Sequence, residues 1–177
     1  IMGGEIRDKE TASLAINAAL TGHLVLSTLH TNSAAGTIPR MLEMGAEPFL
    51  LVSTINVIVA QRLVRRLGSG KQKKTLTPVE LEKLGTLVDL DRLLGFLKTE
   101  KVVPENATWA DVPFYNPGAG GEGEEDGYRG RIGIHEVLEL STTVRDLVMK
   151  NATAAEIEKQ AKAEGMMTML EDGVFKA

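Results

Sequence analysis

The 177-residue chain has no cysteine. Disulfides and cysteine-ligated zinc are excluded outright, and the absence suits a reducing compartment. Aromatic residues make up only 4%, too few to build a base-stacking surface. Positive charge is not in excess: 20 Lys and Arg face 24 Asp and Glu, for a formal net charge of -4. That balance gives no reason to expect a nucleic-acid partner. No run of about eighteen apolar residues occurs, so no transmembrane helix is expected. No basic region followed by an apolar core opens the chain, so no secretory leader is read. The phosphate-gripping pattern G-x-x-x-x-G-K-[ST] is missing as well.

What is present is enough apolar residue, 43% of the chain, to build one ordinary domain or two small ones. Ile1-Met2 has the character of mid-strand, and the chain reads as part of a longer protein. Residues 1–6 read as a short buried strand ending in charge, with Gly3 as its weak point. Residues 9–20 read as a helix whose apolar face is Leu14, Ala15, Ala18 and Ala19, closed by Gly22. A second buried strand is expected over 24–29. Ser33 is placed as the cap of a helix that stops at Gly45, and Pro48 as the first turn of a long helix over 48–67. Such alternation describes an α/β layer with a parallel sheet. Further helices are expected over 78–84, capped by Thr77, and over 89–97. The stretch 119–127 is glycine and acid, a solvated loop. A strand over 131–140 and helices over 142–150 and 154–164, capped by Ser141 and Thr153, complete the chain.

Two segments carry the chemistry. Gly4-Glu5-Ile6-Arg7-Asp8 ends the first apolar strand, and Gly22-His23-Leu24-Val25-Leu26-Ser27-Thr28-Leu29-His30-Thr31-Asn32 contains the second. A carboxylate just beyond a buried strand, here Glu5, is suited to holding the water that attacks a phosphoryl group. The plainer reading is a surface acid at a strand end. Asp8 and Glu10 read as charges of a first helical turn. His30 can donate a hydrogen bond to a phosphate, with Thr28 and Thr31 as hydroxyl donors; the plainer reading is a satisfied histidine. His23 lies at the strand's other end, and His135 reads as structural. Arg7, Arg40, Arg62, Arg65 and Arg66 are candidate anion-binding forks; for the last three the plainer reading is the solvated end of the 48–67 helix. Arg129 and Arg131 flank Gly130 and can meet an anion or an acidic partner.

These residues resemble a known family. Gly4 through Thr11 looks like the Walker B segment of type II secretion and type IV pilus assembly ATPases, and Thr21 through Asn32 like their histidine box. Met44-Gly45-Ala46-Glu47-Pro48-Phe49 and Ala60-Gln61-Arg62-Leu63-Val64-Arg65-Arg66-Leu67 continue the likeness, as do Gly127 through Leu138, Glu164-Gly165-Met166 and Glu171-Asp172-Gly173. The resemblance implies an α/β fold: part of a RecA-like P-loop NTPase core with a parallel sheet, then a mostly helical C-terminal region. It implies the core over 1–67, an insert over 68–127 in place of a zinc-binding region, and a C-terminal strand and helices over 128–177. The implied activity is a hexameric, cytoplasmic ATPase that uses ATP and Mg2+ to drive a membrane-embedded platform protein, associating with the inner membrane through its partners. By that likeness Glu5 is catalytic, while His30, Arg7, Thr28 and Thr31 face the nucleotide, and Arg62 is a candidate subunit-interface arginine.

Two departures from the family pattern stand out. Gly68-Ser69-Gly70-Lys71 and the loop around 118–127 occupy the places of two Cys-x-x-Cys pairs, so no zinc is expected. A small apolar core of Leu81, Leu84, Leu87, Leu90, Leu93, Leu94, Phe96 and Trp109 is expected to hold the insert instead. Gly3 stands where relatives prefer a branched apolar residue. The phosphate loop would lie upstream, and these residues alone are expected to turn over little or no ATP. The alternative reading is a non-catalytic interaction module derived from such an ATPase. A DNA-translocating relative is disfavoured by the acidic balance.

Overall fold

A computed structural model describes residues 1–121 and 124–177, and its contacts divide the chain into two compact units, Ile1–Ala60 with His135–Thr168 and Gln61–Ile134 with Met169–Ala177. Of the solvated loop expected over 119–127, Glu122 and Gly123 lie outside the described residues.

The first unit opens with β1 (Met2–Glu5), α1 (Lys9–Leu20) and β2 (Leu26–Thr28). β1 and β2 pair in parallel, with Met2 beside Leu26 and Glu5 beside Thr28, and neither is the buried strand expected, since Met2 is 87% and Leu26 56% exposed. Between those pairs β1 has one residue more than β2, and the register shifts. The extra residue falls at Gly3-Gly4, where a bulge can re-aim the side chain that follows. Gly3 therefore has a use beyond weakening a strand. A Cβ on it would lie 3.2 Å from Ser27 Oγ, and that hydroxyl donates to the Gly4 carbonyl at 2.5 Å. α1 begins where expected because Asp8 caps it, accepting from Thr11 N–H at 2.8 Å.

α2 (Thr37–Glu43) starts later than the sequence suggested: Ser33 does not cap it but accepts from Gly36 N–H, 3.1 Å away, in the preceding turn. α3 (Pro48–Thr54) has its proline in the first turn, then ends, and β3 (Val57–Leu67) follows. The expected helix over 48–67 is thus a short helix and an eleven-residue strand. The run Ile55-Asn56-Val57-Ile58-Val59 is rich in β-branched residues, which lose rotamer freedom in a helix and fit a pleated strand. Arg62, Arg65 and Arg66 accordingly stand on a strand, not at a helix end.

β4 (Gln72–Lys74), α4 (Pro78–Gly85), α5 (Leu90–Thr99) and β5 (Phe114–Asn116) belong to the second unit. β4 and β5 pair antiparallel, with Lys73 opposite Tyr115. Thr77 caps α4 in a reciprocal box with Glu80. The core here is Leu97, Val103, Ala107 and Val112, with Leu94, Trp109, Phe114 and Phe175 packed against it. Of the expected core, Leu93 is buried, whereas Leu87 is 65% exposed. Glu124 links the loops: Oε1 accepts from Ser69 N–H at 2.7 Å and Oγ–H at 2.8 Å, and Oε2 from Gly121 N–H at 3.0 Å.

β6 (Tyr128–Glu139) is the partner of β3. The ribbon is antiparallel, since Leu140 N–H donates to Asn56 O at one end and Gly68 N–H to Gly127 O at the other. α6 (Thr142–Met149) and α7 (Ala154–Ala163) follow, capped by Ser141 and Thr153 as the sequence indicated. α8 (Met169–Lys176) joins the second unit, where its Glu171, fully buried, receives Nη1 of Arg92 at 2.9 and 3.0 Å. The core of the first unit gathers Ile16, Ile38, Leu51, Leu138, Val144, Val148 and Ile157 from six elements. No helix of the described residues is long and apolar enough to cross a membrane.

Candidate functional site

Parallel pairing makes β1 and β2 end at the same edge, and Ile6 N–H extends the pairing by donating to Thr28 O at 2.8 Å. Groups just past both strands are therefore neighbours. Glu5 and His30 meet there, with His30 Nε2 2.8 Å from Glu5 Oε1. Arg7 takes the other oxygen: its Nε lies 2.6 Å and its Nη2 2.5 Å from Oε2. The Glu5 side chain is 19% exposed, Arg7 75% and His30 87%.

The bond from Arg7 is the main cause that holds the Glu5 carboxyl below its ordinary range; desolvation opposes it, and the charges of Arg7 and His30 add to it. Glu5 is thus an ionised acceptor between two donors, at the carboxyl ends of parallel strands where open α/β sheets take ligands. An anion of this kind can hold and orient a water molecule.

The other expected site residues are distributed as follows. Thr28 is the residue beside Glu5 in the strand pair and is exposed. The Thr31 hydroxyl is engaged locally, donating to Ser33 O at 3.0 Å and lying 3.3 Å from Thr37 Oγ1. His23, at the other end of β2, has Nδ1 3.1 Å from Thr21 Oγ1 and 3.3 Å from Ala18 O, beside the end of α1. Arg40 pairs with Glu43 at 3.1 Å on α2. Arg62 is exposed on β3, and Arg65 lies over the Tyr128 ring, 3.9 Å from its centroid. Among the described residues no three His, Asp or Glu side chains converge as a metal cage.

One residue near the site was not singled out from the sequence. Glu136 is 3% exposed and its Oε1 accepts from Ala34 N–H at 2.7 Å, joining β6 to the turn that follows His30. The signal lay in the strand's alternation. Ile132, Ile134, Leu138 and Leu140 occupy one face, and Glu136 is the acid among them. A charged residue at an inward strand position needs a partner.

Comparison with known proteins places the chain in a family. Residues 1–177 match the family model described as "Type II/IV secretion system protein". The type II secretion system protein E of Xanthomonas campestris pv. campestris is 47% identical over 178 residues, covering 100% of this chain and 28% of that protein. The type IV pilus assembly ATPase PilB of Myxococcus xanthus is 41% identical over 176 residues, covering 99% of this chain and 28% of its own length. The chain thus spans about 28% of the length of these curated relatives. The X-ray structure of the Legionella pneumophila ATPase DotB superposes with a TM-score of 0.53 at 22% identity, over 99% of this chain and 34% of that one. The expected mixed α/β fold with parallel strands is the fold shared with that ATPase. With its full length matched and its relatives being secretion and pilus proteins, the chain belongs to the type II/IV secretion system protein family.

Proposed function

We propose that this chain carries the water-orienting and phosphate-facing part of an ATP-driven motor for type IV pilus assembly or type II secretion. The observation that carries the reading is the meeting of Glu5 and His30 at the shared end of β1 and β2. Nucleotide and Mg2+, when bound, supply the phosphoryl electrophile and its charge compensation. The residues of this chain fit beside such a group, not around it: one ionised carboxylate and one imidazole donor, with no cluster of three ligands among the described residues. Glu5 accepts the proton of the water and orients it. His30 offers a ring N–H to a phosphate oxygen. Arg7 occupies Oε2, so a water reaching that oxygen displaces the guanidinium. Thr28 and Thr31 are candidate nucleotide contacts, and Arg62 a candidate interface arginine between subunits.

The grip on the β- and γ-phosphates falls to residues outside these 177, because the pattern G-x-x-x-x-G-K-[ST] does not occur among them. In this reading 1–67 is part of the ATPase core, 68–127 an insert held by its own core and by Glu124, and 128–177 the C-terminal region. The whole protein works as a homo-oligomer, a hexamer, on the cytoplasmic side. It acts on a platform protein in the inner membrane and not on nucleic acid. Relatives named as pilus assembly ATPases and as type II secretion protein E support that assignment.

The test compares Mg-ATP turnover by the 177 residues alone and by a form extended upstream. Background rates in the first and steady turnover in the second are expected. Turnover in neither form favours the interaction-module reading, and turnover by the 177 residues alone overturns the division of labour.

A further inference from the structure

The His30 ring is 87% exposed, so packing does not hold it 2.8 Å from Glu5. Its position depends on the backbone that carries it. β2 precedes it, and on the other side comes the turn that leads into α2. That turn is buried: Ala34 and Ala35 are both 0% exposed. Within it, Thr31 Oγ1 donates to Ser33 O, Gly36 N–H donates to Ser33 Oγ, and Thr37 N–H to Ala34 O. A buried backbone N–H without an acceptor costs about 1–3 kcal/mol. The acceptor for Ala34 N–H comes from 102 residues away, at 2.7 Å: the Glu136 carboxylate.

Glu136 is well placed to act as a fixed point. It is 3% exposed and shares the inward face of β6 with Leu138, which with Leu140 just beyond the strand is part of the main apolar core. Core side chains of this kind move little, because the interior is close-packed. A leucine at 136 would match its neighbours on that face but would leave the turn's N–H unbonded.

We propose that Glu136 is a positioning residue that fixes the 33–36 turn through Ala34 N–H and thereby keeps His30 against Glu5. The effect on turnover rests on the proposed motor reading; the geometric effect does not. β6 thus reaches the turn behind the shared end of β1 and β2 through the bond from Ala34 N–H to Glu136. The residue touches neither water nor phosphate in this account.

The test uses NMR, helped by the presence of only three histidines. The His30 ring signal is identified as the one lost in His30→Gln. In the wild-type background, Glu5→Gln shifts that signal, because Oε1 is in hydrogen-bond contact with the ring. In Glu136→Ala the same Glu5→Gln change leaves the His30 signal unmoved within the scatter of repeat spectra. In Glu136→Gln the response returns, since an amide oxygen can still accept from Ala34 N–H. Should Glu136→Ala fail to fold, Glu136→Asp gives the same comparison, with the charge kept and the carboxylate withdrawn by one methylene.

In the form extended upstream, Glu136→Ala lowers kcat by ~10-fold with KM changed by less than ~2-fold, and Glu136→Gln restores most of the rate. An undiminished His30 response in Glu136→Ala, despite faster exchange of the Ala34 amide, overturns the proposal. So does a full loss of response in Glu136→Gln. Failure of the motor reading looks different: Glu5→Gln then leaves turnover unchanged while the NMR coupling between Glu5, His30 and Glu136 persists.

Discussion

Glu5 has both oxygens engaged, and the two partners differ in kind. The guanidinium of Arg7 is a permanent cation with a fixed fork; the imidazole of His30 is a single ring nitrogen at the other oxygen. Arg7 supplies the first cause of the lowered Glu5 pKa, so Arg7→Ala raises that pKa toward the ordinary value. Carbon-13 titration of the Glu5 carboxyl measures the change. A group whose folded pKa is depressed adds stability above its unfolded pKa and loses it as pH falls through the folded value. The Arg7→Ala protein therefore shows a smaller loss of melting temperature on acidification than the wild type. An unshifted Glu5 carboxyl in Arg7→Ala would contradict the assignment of the bond. Glu5 and His30 were both legible in the sequence, because each ends a short apolar run in a polar group. Glu136 was passed over because it stands within an apolar alternation and was read as part of a family motif, not as an acid on an inward face.

At the scale of elements, three of the four expected caps translated: Thr77, Ser141 and Thr153 each accept a backbone N–H at the start of a helix, while Ser33 caps none. Asp8 and Asp89, not read as caps, do the same. These signals are local, so sequence spacing alone carries them. The 48–67 stretch did not translate, because its period was judged from apolar content where β-branching decided the outcome. Pro48 marked the start of α3 correctly, but nothing marked its end except the run of Ile and Val. The extra residue at Gly3-Gly4 was equally hidden, since a bulge exists only in a pair of strands. Two predictions belong here. Leu138→Ala, at a position with 0% exposure on β6, destabilises the protein by about 3 kcal/mol in chemical denaturation. Glu80 is held at about 2, first by its bond to Lys74 and then by the Thr77 cap. Its contribution is complete above its ordinary value and fades as pH falls from about 4.5 to about 2. The melting difference between wild type and Glu80→Gln shrinks across that window; a difference that stays constant would rule out the pairing.

On the scale of the whole molecule, the two units have separate cores, one around Ile38, Leu51 and Leu138 and one around Leu97, Val103 and Val112. Family membership gives their context, and the acid, the imidazole and the guanidinium give the first unit its proposed chemistry. The most direct measurement of that chemistry is ATP turnover by the form extended upstream, with and without Glu5→Gln. Gln keeps the side-chain size and loses the base. The account predicts a fall in kcat of about 100-fold or more with nucleotide still bound. Equal rates in the two proteins would contradict it and remove Glu5 from the reaction.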